Sequence, residues 1–229
     1  MDPVTATTET AKAVQEVAKV AGKGIDAATA MGGFIANYVR GPIEQGLGIF
    51  EDKLRYTRWE RQRRLMERAG AFLAERGLDA PPNGVPLKFA VPLLQAASLE
   101  DDDQLQDLWA RLLVNATIEP EIAMHRVFIS MLENMSSLDA RVLFCLRETS
   151  AGPHDALVTS ELPDSATVWR EDMAQHKTQP SEDVLFSLGN LGRLGAITGL
   201  GTAGGGTSWV ATHLTILGRR LVDVCSPAV

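Results

Sequence analysis

The stretch SLEDDDQLQDLWARLLVNA, residues 98–116, sets four consecutive carboxylates, Glu100 to Asp103, ahead of a run rich in Leu and Trp. Leu105, Leu108, Trp109, Leu112, Leu113 and Ala116 recur at spacings of three and four, the period of a helix with one apolar face. Ser98 is expected as its N-cap, with Asp101 three residues on as a short form of the capping-box acid. Carboxylates in a first turn oppose the helix dipole and stabilise it by about 0.3–1 kcal/mol each. Glu100, Asp103 and Asp107 run on into a second, polar face with Arg111 and Asn115. A metal site would need further ligands converging on that face. His125, His154, His176 and His213 are scattered and share no ligand spacing with the acids, so neither a metal nor a cofactor is expected.

A basic run is the electrostatic counterpart. Lys53, Arg55, Arg58, Arg61, Arg63, Arg64 and Arg68 stand against Glu60 and Glu67, a local charge of +5, while Glu100 to Asp107 sums to −5. Leu47, Phe50, Leu54, Leu65, Ala69, Phe72 and Leu73 place this run on a helix from about Ile43 to Arg76. Extending its apolar stripe between Leu54 and Leu65 lands on Arg58 and Arg61. The expectation is a structural charge joint in which these two arginines meet Asp103 and Asp107, with Glu100 on the same acidic face. A solvated basic face is the plainer alternative. Nucleic-acid binding, with Tyr56 and Trp59 stacking on bases, is disfavoured because the acidic neighbour competes with phosphate.

Outward from this pair, the chain reads as mainly α. Residues 1–40 carry an amphipathic helix from Thr8 to Val39 whose face is built of small residues, among them Ala18, Gly22, Ile25, Ala28, Gly32 and Ile35. Such a stripe suits close packing in a core or a homo-oligomer, and it also suits helix assembly at a membrane. Residues 41–134 form a helical domain. Within it GLDAPPNGVP, residues 77–86, is a loop, LKFAVPLLQAAS a short helix interrupted or restarted at Pro92, and the segment beyond Pro120 a helix with Val127, Phe128, Met131 and Leu132 inward.

Residues 135–229 read as a winged-helix-like unit. A helix opens on the capping pattern Ser136-x-x-Asp139, and ALVTS gives one short strand. A helix from Pro180 or Ser181 buries Val184, Leu185, Leu188, Leu191 and Leu194. Two strands flank GLGTAGGGT as a hairpin, and Thr215 caps a last helix. The would-be recognition helix carries Glu182 and Asp183 against Arg193 alone, which is poor electrostatics for DNA. The glycine run lacks the Lys-Ser/Thr ending of a phosphate loop. No Ser or Cys is paired with a His in a nucleophile signature, so no enzyme is expected.

Composition sets the outer bounds. The 229 residues are 45% hydrophobic, with a net charge of −7 and two cysteines, Cys145 and Cys225. That is a globular chain able to bury a core, with weak affinity for polyanions. The uncharged candidate AATAMGGFIANYV, between Asp26 and Arg40, is too short to span a bilayer. With no basic and apolar leader at the start, a reducing, cytoplasmic setting is expected.

Several pieces in order, GPIEQGLGIFEDKLRYTRWERQRRLMERA, VPLLQAASLEDDDQLQDLWARLLVNA, MLENMSSLDARVL, LGNLGRLGAI and LTILGRRLVDVC, resemble the Abi-alpha (abortive infection alpha) family of bacterial proteins. The resemblance spans about Ile35 to Cys225. Its most specific part is the opening stretch, through Glu100, Asp102, Leu105, Trp109, Leu112, Leu113, Asn115 and Ala116. It implies a role in phage defence in which the infected cell stops growing or dies, and it supplies no catalytic residue. The expected partner is a phage or host protein, with a homo-oligomer or membrane contact on activation as alternatives. A winged-helix-type sensor, adaptor or nucleic-acid-binding regulator is the runner-up.

Overall fold

The computed structural model describes residues 39–40, 56–170, 178–202 and 204–227, with residues 39–40 and 56–59 described by their backbone alone. The N-terminal helix with its face of Ala18, Gly22, Ile25, Ala28, Gly32 and Ile35, the beginning of the second helix and the Arg58 side chain lie outside the described residues. Val39–Arg40 is extended, not helical, and pairs in parallel as β1 with β2, Val85–Pro86.

Helix α1, Tyr56–Glu75, buries Leu65, Ala69, Phe72 and Leu73 along one face. It stops at Gly77, whose φ of 68° is the left-handed conformation that glycine adopts without a Cβ clash. The Gly77 amide donates to the Ala74 carbonyl at 2.9 Å and the Leu78 amide to Leu73 at 3.0 Å, closing the helix end as a Schellman motif. Helix α2, Leu87–Ala97, runs through Pro92 without the expected interruption. The one bond that Pro92 forfeits would have gone to the carbonyl of Lys88, an exposed residue.

Helix α3, Asp103–Ile118, is the centre of the molecule and buries eleven of its sixteen residues. Beyond it the single helix expected after Pro120 is two, α4, Pro120–Ala123, and α5, Arg126–Leu132, parted at Met124 and His125. The short α5 seats on Phe128, Met131 and Leu132, which leaves Val127 exposed rather than in the core.

Helix α6, Ser137–Thr149, opens on the expected capping box. Then come β3, Ala156–Val158, the unexpected β4, Thr167–Val168, helix α7, Glu182–Arg193, the hairpin β5, Ile197–Gly201, with β6, Thr207–Leu214, and helix α8, Ile216–Cys225. The sheet is antiparallel in the order β4-β3-β6-β5. One contiguous set of buried side chains runs from Leu65 to Cys225, across the turn near Asn134 where the sequence placed a boundary. The described residues are thus mostly helical with one small antiparallel sheet, and none of their helices is long and apolar enough to cross a membrane.

Candidate functional site

The charge joint forms in a different register from the one expected. Helices α1 and α3 run parallel, with Arg61 beside Asp101, Arg68 beside Asp103 and Asp107, and Arg111 4.0 Å from Glu75. Arg61, Arg64 and Arg68 form a row at spacings of three and four that flanks the apolar stripe, as does the acid row Asp103 and Asp107 on α3. Arg68 is the centre of the joint: its guanidinium donates to Asp103 Oδ1 at 2.6 Å, to Asp107 Oδ1 and to the Asp103 carbonyl at 2.8 Å. Arg61 instead donates to Asp101 Oδ2 at 3.2 Å and to the Leu99 carbonyl at 2.6 Å. Extrapolating the stripe from the side of Leu54 placed the contact two helical turns too early.

The helix start is corrected too. Asp102, not Ser98, caps α3, accepting from the amides of Gln104 and Leu105 at 2.9 and 3.0 Å. Ser98 closes the preceding α2, its hydroxyl donating to the Gln95 carbonyl at 2.7 Å. Glu100 joins no ion pair among the described residues; it accepts from the amides of Asp101 and Asp102, both at 3.0 Å. The carboxyl of Asp102 is held below its ordinary range, first by a hydrogen bond from Ser137 and then by the amide of Leu105. The four acids therefore belong to a turn, a cap and two ion pairs.

A second polar cluster, buried and not anticipated, fixes α7. Asp139 is 3% exposed. Within the capping box its Oδ2 accepts from the Ser136 amide at 2.7 Å. Its Oδ1 accepts from the Ser187 hydroxyl at 2.6 Å, and Oδ2 also accepts from Asn190 Nδ2 at 2.9 Å. Asn190 Nδ2 further donates to the Asn134 carbonyl at 2.8 Å. A legible signal existed: Ser187 and Asn190 are polar residues bordering the leucine stripe of α7, three apart and hence on one side.

The rest of α7 follows from its ends and neighbours. Ser181 caps it by accepting from the Val184 amide at 3.4 Å. At the other end Gly195, with φ 73°, lets the Ala196 amide reach the Leu191 carbonyl at 2.9 Å. Gly192 gives β6 its seat, since a Cβ there would lie 2.7 Å from Cη2 of Trp209. These contacts fix which side of α7 faces outward. Glu182, Phe186, Gly189 and Arg193 are exposed, and at 100° per residue they fall within about 60° of one another. Phe186 is 82% exposed, the most exposed large apolar side chain among the described residues. Arg193 donates to Asn190 Oδ1 at 2.8 Å and meets no carboxylate among the described residues.

One other recess is internally paired. A cleft of about 480 Å³ lies between α3, α4, α6 and α8. At its rim Arg147 pairs with Asp223 at 3.1 Å, and Asn115 inside it donates to the Val224 carbonyl at 2.7 Å. Burial pushes both thiols up, that of Cys225 furthest, and the nearby Glu148 and Asp164 add to the effect at Cys145. Among the described residues no three His, Cys, Asp or Glu side chains are placed to hold one metal ion.

What the fold and the site define is a helical protein with a small sheet, presenting one helix, α7, with an exposed aromatic on its outer face. The model of the abortive infection alpha family matches residues 60–202, well over half of the chain, and the chain belongs to that family. The match begins inside α1 and ends at the tip of the β5–β6 hairpin, so it takes in the charge joint, the Asp139 cluster and the whole of α7. Comparison with curated proteins and with solved structures gives no match.

Proposed function

We propose that this abortive infection protein acts in phage defence by protein contact, without chemistry of its own, and that the outer face of α7 is the contacting surface. The observation that carries the reading is Phe186. Leaving a phenyl ring 82% exposed forgoes about 1.5–3 kcal/mol of burial. Aromatic anchors of this kind are what protein interfaces bury at their centres. The order α6, β3, β4, α7, β5, β6, α8 and the sheet order β4-β3-β6-β5 support a winged-helix-like unit, extended by the edge strand β4, in which α7 is the presented helix. A DNA role for that helix is opposed by Glu182 and Asp183 in its first turn, where they repel phosphate. Arg61 and Arg68 of α1 are committed to Asp101, Asp103 and Asp107, and Arg63 and Arg64 pair within the helix with Glu67 and Glu60.

The test is Phe186→Glu expressed in a sensitive bacterial host, scored by phage plaquing and by growth after infection. Protection should fall while expression and helical circular dichroism stay at wild-type levels. Unchanged plaquing would remove α7 from the function.

A further inference from the structure

We infer that the partner seated on α7 is a second copy of this chain, held by an antiparallel pairing of the two α7 helices about a twofold axis. The inference rests on the reading of α7 as a contact surface and names its occupant.

The outward row is self-complementary. Its spacing is four, three, four, so it is symmetric about the helix midpoint between Ser187 and Leu188. Two such helices crossing antiparallel at that point set Phe186 of each against Gly189 of the other, and Glu182 of each against Arg193 of the other. An isologous contact requires this reciprocity, residue i on j and j on i. The two ends also match in charge: Glu182 forms no ion pair and Arg193 meets no carboxylate among the described residues.

Gly189 is the independent observation. It lies in the interior of a helix, where glycine is less favourable than alanine by roughly the largest margin of any residue but proline. Nothing among the described residues asks for it: its φ is not positive, and a Cβ built there meets nothing within 4 Å. By contrast Gly192, one turn on, is filled by Trp209. A missing side chain facing solvent, at the symmetry-related place of an exposed phenyl ring, is the hole for that knob. Ile216, 80% exposed, follows Thr215, whose hydroxyl donates to the Gly195 carbonyl at 2.6 Å, and so extends the apolar area beside the end of α7. A twelve-residue helix is about 18 Å long. Its contact therefore falls below the standard interface of about 1,600 Å², which points to a concentration-dependent dimer.

Sedimentation equilibrium of the full chain up to about 1 mM tests this, with circular dichroism confirming the fold of each variant. Wild type should pass from monomer to dimer. Phe186→Glu should weaken the dimer by about a hundredfold or more, as removal of a central aromatic does. Gly189→Leu, which the monomer accommodates, should weaken it comparably by filling the hole. Glu182→Arg and Arg193→Glu should each weaken association, and the double variant should recover it, because the pair is only exchanged. A monomer at every concentration, a dimer indifferent to Phe186→Glu, or a double variant no better than the single ones would each overturn the inference. The contact reading fails separately: loss of protection by Phe186→Glu in a protein that stays monomeric leaves α7 a contact for another protein, whereas a dimer broken by Phe186→Glu with intact protection removes the surface from defence.

Discussion

Replacing Asp139 by alanine should destabilise the protein by about 3 kcal/mol. The magnitude follows from what the carboxylate holds. Its Oδ1 is the acceptor for the Ser187 hydroxyl, and Ser187 is 2% exposed, so the orphaned hydroxyl has no water to turn to and the loss is about 1–2 kcal/mol. Dismantling the capping box with Ser136 adds about 1 kcal/mol. Asn190 is only half-buried and can rehydrate its amide, so its share is about 0.5 kcal/mol. Against a total stability of about 5–15 kcal/mol this is a large fraction. Urea unfolding followed by circular dichroism should show a lower midpoint at an unchanged slope. The diagnostic measurement is the double-mutant cycle with Ser187→Ala. If the hydroxyl's partner is already gone, Ser187→Ala should do little further harm, giving a coupling of about 1–2 kcal/mol. A loss below about 1 kcal/mol for Asp139→Ala, or strict additivity with Ser187→Ala, would refute the clasp.

Arg68→Ala should lower stability by about 1 kcal/mol and Arg61→Ala by no more than about 0.5 kcal/mol, since Arg68 makes three bonds and is the less exposed; urea unfolding at low salt measures both, and about 1 M salt should shrink the difference. Asp102→Ala should remove a helix cap of about 1 kcal/mol at pH 7. Because the folded carboxyl titrates below its ordinary value of 3.8, that contribution is fully present above the ordinary value and is lost as pH falls through the lower folded one; stability curves of wild type and variant should therefore converge only in acid. Gly218→Ala should lower thermal stability by about 2 kcal/mol or more, because its Cβ would fall 2.1 Å from the Ala196 carbonyl oxygen, a backbone atom that cannot step aside. Gly189→Ala should instead raise the stability of the monomer by up to about 1 kcal/mol, a contrast that the same melting experiment records.

Where apolar period and cap lay close together in the sequence, the element was legible. Ser136 with Asp139, Ser181 with the Leu stripe of α7, and Thr215 ahead of α8 all stand at the helix starts expected of them. Ser98 misled because a good cap residue serves equally at a helix end: the apolar run of α2 reaches Ala97, and the chain needs Leu99 to Asp102 to turn before α3 begins. Periodicity also cannot fix the phase between two helices, so the arginine row and the acid row were recognisable while the pairing of Arg68, not Arg61, with Asp103 and Asp107 was not. Asp139 shows the deeper limit. Its capping role is written within four residues, but its bonds to Ser187 and Asn190 join positions about fifty apart, which no local pattern records.

The two polar clusters divide in the kind of order they impose. The joint between α1 and α3 is largely exposed, and water can replace each of its bonds, so it aligns two helices whose buried faces already hold them together. The Asp139 clasp is buried, and its four donors come from the Ser136 cap of α6 and from Ser187 and Asn190 of α7, so α7 has one rotation and one depth at which all are satisfied. Fixing the rotation of α7 inward also fixes which residues point outward. Val184, Ser187, Leu188, Asn190, Leu191 and Gly192 make the contacts that the fold asks of the helix. Phe186 and Gly189 are then left on a face that the fold holds rigidly and does not itself use, one side chain too large for water and one absent where alanine would be more stable. A surface set so firmly and filled so unfavourably for the monomer is what the proposed contact at α7 would account for.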